Sequence, residues 1–213
     1  MTTGRPLVTA LYTSVDLEPT EFDYPGWDKA TPVSINRRWS GSEAPPSQHC
    51  EVRLLWSDQA LLVRYVCRQP RAPLIQENAP LDRKTIGLWD TDVCEIFITP
   101  ACEPPNRYYE FEAAPNGAWV DLGITVGPEE RETDWDYQSG MTSASHISDD
   151  IMTTVIRIPW SDKIPKPKLG DEWRVNLFRC EGVGNERYLA WQPTFTAEPY
   201  FHVPDVFGRL RFV

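Results

Sequence analysis

The chain contains no run of about 18 consecutive apolar residues, the length that a membrane-crossing helix needs. No membrane span is expected. Histidine and methionine are scarce, at three residues each. The five cysteines are odd in number and none falls in a Cys-x-x-Cys spacing. A fully disulfide-bonded scaffold is therefore not expected, and no zinc site is signalled. Cys67, Cys94 and Cys180 lie in apolar strand-like runs and read as buried thiols. Positive charge is also short: 21 Lys and Arg against 31 Asp and Glu leave a formal net charge of -10. That balance argues against a nucleic-acid or anionic-membrane partner. The opening residues, MTTGRPLVTALYTSVDLEP, hold one arginine and no continuous apolar stretch, so no secretory leader is read. The expectation is a cytoplasmic chain as written, secreted or periplasmic if a leader precedes it.

What the chain does have is proline and tryptophan. Its 20 Pro break helices and punctuate strands, and its 9 Trp exceed what one core needs. Some of those rings are candidates for exposed stacking surfaces. Alternating apolar and polar residues mark strands near 7–12, 51–56, 60–67, 93–99, 108–114, 118–122, 151–158, 173–180, 188–191 and 207–213. Pro115-Asn116-Gly117 is a turn signal between two of them. Residues 69–87 form a long, proline-rich stretch without a period, and loops of that length are usually functional or mobile. Roughly eight to eleven short strands without an amphipathic helix predict an all-β, antiparallel sandwich of two packed sheets. All 213 residues are read as a single domain, with 1–26 as an N-terminal strand and extension.

The stretch Leu88–Pro100 carries the strongest chemical pattern. Val93, Glu95, Phe97 and Thr99 share one strand face, and Cys94, Ile96 and Ile98 share the other. Glu95 is thus a carboxylate on an otherwise largely apolar face, costly unless paired, hydrogen-bonded or near the sheet rim. Trp89 precedes it in an acidic turn. An aromatic ring at a strand mouth with a carboxylate just inside suits a pyranose, which offers C–H patches to stack and hydroxyls to bond. The same two residues also suit a core cap and an arginine-paired structural carboxylate.

The order of several such pieces is distinctive. The block Trp89, Asp92, Val93, Glu95, Ile96, Phe97 follows a Leu-Trp-Ser-Asp hairpin at Leu55–Asp58. Tyr108-Tyr109-Glu110-Phe111, Ile158-Pro159-Trp160 and Pro204-Asp205-Val206-Phe207-Gly208 come after it. From about Trp27 to the C-terminus this resembles carbohydrate-binding module family 9. The resemblance implies an immunoglobulin-like β-sandwich of the kind often attached to secreted glycoside hydrolases. It also implies non-catalytic glycan binding in carbohydrate catabolism, with a sugar reducing end held between two aromatic rings, and structural calcium. Carried over by motif, the two rings fall on Trp89 and Phe201, and a hydroxyl-accepting carboxylate falls on Glu95. An arginine of the family pattern falls at Glu112, so the family's sugar specificity does not transfer. The acidic Asp-Gly start that supplies calcium ligands is missing, which leaves Asp23, Asp28, Asp90 and Asp92 as candidate Ca2+ ligands.

Three further residues complete the expected ligand site. His202 either donates to a ligand hydroxyl or packs in its loop. Asn176 and Arg179 lie on a strand expected near the pocket, where Arg179 could pair with Glu95 or Glu112. The expected partner is a mono- or oligosaccharide, or a polysaccharide chain end. Two other function classes stand beside this one. Glu95, Glu110 and Glu112 could supply the two carboxylates of a glycoside hydrolase. The scaffold could otherwise serve as a protein-interaction or haem-binding sandwich, with Met141, Met152, His49, His146 and His202 as the candidate ligands.

Overall fold

The structure, a computed structural model, describes residues 4–213. Fourteen strands run in chain order as β1 Leu7–Tyr12, β2 Val33–Ile35, β3 Arg37–Arg38, β4 Cys50–Trp56, β5 Ala60–Arg68, β6 Val93–Thr99 and β7 Arg107–Ala113. They continue as β8 Trp119–Val126, β9 Arg131–Asp134, β10 Thr142–Ser148, β11 Ile151–Pro159, β12 Glu172–Cys180, β13 Tyr188–Ala190 and β14 Gly208–Phe212. Among the described residues the helical pieces are short 3-10 turns, and no helix is long and apolar enough to cross a membrane.

The strands hydrogen-bond in the order β10-β11-β5-β4-β1-β14-β12-β6-β7-β8-β9, with β2 beside β4 and β13 bridging β12 and β3. This continuous ribbon folds over into two layers. One main core lies between them, drawing Leu54, Val63 and Ile156 from one half and Ile96, Phe111, Val175 and Leu210 from the other. The sandwich is mixed rather than antiparallel, because β1 pairs parallel with both β4 and β14. Side-chain alternation reports which face a residue takes but not which way its strand runs, so this feature had no signal in the sequence.

Four strands lie outside the ranges read from the sequence: β2 and β3 are too short, at three and two residues, to show a period, and the other two were hidden for a different reason. β9 (RETD) and β10 (TSASHIS) are polar edge strands, half to fully exposed. They carry no apolar face to betray a period. Cys67 also differs from its reading as a free thiol. It lies directly opposite Cys50 across the β4–β5 ladder, and the two form a disulfide. Cys94, Cys102 and Cys180 are free.

The outer face of the β12-β6-β7-β8 layer is covered too. Val93, Phe97, Tyr108, Val120, Leu122 and Phe178 form a second apolar cluster there with Leu88, Phe201 and Phe207 from the loops. Every residue of β6 is therefore buried, on both faces. Burying that second face is what puts Glu95 out of reach of bulk water.

Candidate functional site

The β6–β7 register sets Glu95 directly opposite Glu112, and Phe97 opposite Glu110. All three carboxylates point to the outer face of the layer, and one oxygen from each lies within 4.8 Å of the others. All three are buried, Glu112 completely. Like charges directly across a ladder destabilise it, and few partners offset them here. Glu95 Oε1 accepts from the Cys180 thiol at 3.3 Å. Among the described residues, no donor from outside the cluster reaches Oε2 of Glu110 or either oxygen of Glu112, and Glu112 when protonated donates to Glu110.

Burial, then the neighbouring carboxylates, raises the Glu95 pKa to about 8 and pushes Glu112 well above its ordinary range. Burial raises Glu110 as well. Between the ordinary value of 4.5 and the folded value of about 8 for Glu95, the folded chain keeps protons that the unfolded chain releases. Stability must then fall as pH rises through that window. His202 works in the opposite sense, since burial lowers its pKa from 6.5 to about 3. Above 6.5 it is neutral in both states, so the interval from there to about 8 reports the carboxylates. We predict a melting temperature several degrees lower at the upper end of that interval, and a smaller drop in Glu112→Gln. A melting temperature that rises across it would mean that the carboxylates are ionised and paired.

Above these groups lies a cavity of about 240 Å³. Trp89, Glu95, Glu112, Phe201 and His202, expected from the sequence, all line it, together with Glu110, Arg131, Trp135, Tyr188 and Tyr200. Trp89 stands beside Trp135, with ring centroids 6.3 Å apart. Trp135 and Tyr200 keep 48% and 42% of their surface exposed, so both offer open ring area to the cavity. Phe201 is placed differently from an open facing ring. It is 8% exposed and stacks on Phe178 at 4.1 Å, which makes it part of the apolar packing behind the wall. His202 is packed as well: its ring stacks on Phe97, and its Nδ1 is hydrogen-bonded to the Tyr108 hydroxyl at 2.7 Å.

The Trp89 turn is held by backbone contacts. The Arg187 guanidinium donates to the carbonyls of Trp89, Asp90 and Thr91. Thr91 Oγ1 donates to the Leu88 carbonyl at 2.7 Å. Gly87 opens the turn at φ 83, in the left-handed region where any side chain is strained. Lys84 anchors the preceding loop. It forms an ion pair at 2.8 Å with buried Asp121 and donates to the carbonyls of Asp121, Trp135 and Tyr137.

Asn176 and Arg179 do not line the cavity. Asn176 bonds the backbone of Gln192 and Leu177. Arg179 points away from the three glutamates and donates to the carbonyls of Gln48 and Arg68 and to Gln69 Oε1, so it pairs with neither Glu95 nor Glu112. Alternation explains this: 179 is odd-numbered on β12, while Phe178 and Cys180 face the glutamates.

The four aspartates are not drawn together into one cluster. Asp92 is buried and already accepts from the Gly182 amide and the Gln69 side chain. Asp23, Asp28 and Asp90 are exposed. Among the described residues, no cluster of three potential metal donors includes any of them.

The haem ligands do not gather either. Met141 and Met152 are packed in the main core, and His202 is the single histidine in the cavity lining. The three glutamates share one wall, whereas glycoside hydrolysis places its two carboxylates on either side of the scissile bond.

Comparison with known proteins follows this geometry. The family model described as carbohydrate family 9 binding domain-like matches residues 23–213. No curated protein matches the chain. Among solved structures, a candidate carbohydrate-binding protein from Bacteroides uniformis ATCC 8492 is 18% identical, with a TM-score of 0.73 over 99% of this chain and 100% of that one. A family 9 carbohydrate-binding module from Caldicellulosiruptor kristjanssonii in complex with glucose is 16% identical, with a TM-score of 0.63 over 98% and 96%. The same module with cellotriose is 15% identical, with a TM-score of 0.63 over 97% and 93%. At these identities the likeness is one of fold.

Proposed function

The chain belongs to the carbohydrate family 9 binding domain-like family, and from that premise we propose that its outer-face cavity binds carbohydrate without reacting with it. The observation that carries this reading is the cavity itself, in which the half-buried indole of Trp89 and the exposed indole of Trp135 share the lining with three buried carboxylates. Aromatic faces take the C–H side of a pyranose and carboxylates accept from its hydroxyls. The volume of about 240 Å³ falls below the roughly 300–1,000 Å³ of sites for drug-sized ligands. It suits one sugar unit, hence a monosaccharide or a chain end. The structural neighbour from Caldicellulosiruptor kristjanssonii was solved with glucose and with cellotriose, which supports the same class of ligand here. An immunoglobulin-like arrangement of the sandwich and a role in carbohydrate breakdown belong to this reading.

A glycan array followed by calorimetry on the hits tests it. Saturable binding of a mono- or oligosaccharide, with no release of reducing sugar, is the expected result. An array without any bound glycan, neutral or charged, would remove the carbohydrate reading and leave the cavity without an assigned ligand.

A further inference from the structure

The cavity floor is unusual for a neutral sugar. A hydroxyl both donates and accepts, so a site for neutral sugars profits from donors as well as acceptors. Here the floor presents three carboxylates, and among the described residues no donor from outside the cluster reaches either oxygen of completely buried Glu112. A carboxylate at that depth without a donor from outside the cluster is costly, and Glu112 belongs to the cavity lining with its oxygens closed over. The walls make the second half of the argument. Trp89, Trp135, Tyr188 and Tyr200 line the cavity, and aromatic faces attract cations as well as C–H groups.

We propose, building on the carbohydrate reading, that this pocket selects an amino sugar whose amine is free, seating its ammonium among Glu95, Glu110 and Glu112. An ammonium has three N–H donors and no acceptor, which matches three carboxylates clustered within 4.8 Å. The ring of the sugar then lies against Trp89 and Trp135. A divalent metal suits the site less well. Calcium takes about six to eight oxygen ligands, whereas much of the remaining lining is apolar: Phe97, Leu122, Ile124 and Phe201.

Binding is linked to proton release. With burial and mutual repulsion holding protons on the empty cluster near neutral pH, an arriving ammonium favours the ionised carboxylates and expels a proton to solvent. The other charged groups acting on the cluster are Arg131 from β9, Arg187 from the loop before β13 and Asp90 from the Trp89 turn. Cys180 on β12 faces Glu95 as a neutral thiol, its pKa raised by burial, and His202 is neutral.

Calorimetry on the intact chain at about pH 7, with D-glucosamine, N-acetyl-D-glucosamine and D-glucose as probes, decides the matter. Glucosamine is expected to bind roughly 10- to 100-fold more tightly than glucose, the worth of a charge-assisted contact. The acetylated sugar, which lacks the charge, gains nothing. The heat of glucosamine binding depends on the ionisation enthalpy of the buffer, as proton release requires. In Glu112→Gln the preference for glucosamine over glucose falls to about 3-fold or less. Binding of neutral glycans without a glucosamine preference would overturn this inference and leave the carbohydrate reading intact. Calcium or manganese binding that disappears in Glu112→Gln, again without a glucosamine preference, would overturn it in favour of a metal site. Absence of binding to all glycans would overturn both.

Discussion

Alanine in place of Trp89 abolishes measurable sugar binding while the chain stays folded. The ring lines the cavity beside Trp135, with half-buried surface facing a ligand. Removing a central aromatic anchor costs about 2–4 kcal/mol of binding, or roughly 30- to 1,000-fold in Kd. A sugar held weakly to begin with then drops below detection. Folding survives because the turn is fastened through its backbone. Arg187 grips the carbonyls of residues 89–91, and alanine keeps all of them. Trp89→Phe retains a smaller stacking face and part of the affinity. Calorimetry against the preferred glycan, with thermal unfolding as the control, reads both. A Kd unchanged in Trp89→Ala would place the sugar elsewhere on the molecule. Arg187→Met separates anchor from ring: it keeps the indole but frees the turn, so affinity falls through loss of pre-organisation.

Much of this site was legible because a strand has a period of two. Once residues 93–99 and 108–114 are read as strands, Glu95 shares a face with Phe97, and Glu110 shares one with Glu112. The sequence could not say that these two faces coincide. That depends on register, here Glu95 against Glu112, which is set by the turn and the packing of both strands. The same limit hid the direction of β1 and the placement of Arg179. Phe201, expected as the second stacking ring, does line the cavity, but its tight packing on Phe178 had no signal, because an aromatic beside a binding motif looks the same whether it faces a ligand or stacks on a neighbour. Trp135 lies in an acidic stretch of the sequence where nothing local joins it to Trp89. Arg187 and Lys84 are harder still. Each acts chiefly on backbone carbonyls far away in sequence, and a carbonyl leaves no trace in residue identity.

Lys84 carries the largest expected effect on stability. The stretch 69–87 lacks regular secondary structure, and a loop of that length closes at an entropic cost that few contacts offset. Lys84 fastens it to the β8 layer by pairing with Asp121, which is completely buried on β8. The same ammonium donates to the carbonyls of Trp135 and Tyr137, so one cation joins the loop leading to Trp89 with the segment bearing Trp135. Lys84→Met keeps most of the aliphatic stem but leaves the Asp121 carboxylate buried with only Ser139 as a donor. Removing one member of a buried pair costs about 3–5 kcal/mol. At about 2–4 °C per kcal/mol for a chain of this size, the melting temperature drops by roughly 6–20 °C. Adding Asp121→Asn to Lys84→Met removes the stranded charge and recovers a large part of that loss. It does not restore the tie between the two indole-bearing segments, so sugar affinity stays low in the double variant. Recovery of stability without recovery of binding separates the two roles of Lys84. If the double variant regains both, the lysine contributes charge balance alone, and the indole wall holds its shape by its own packing.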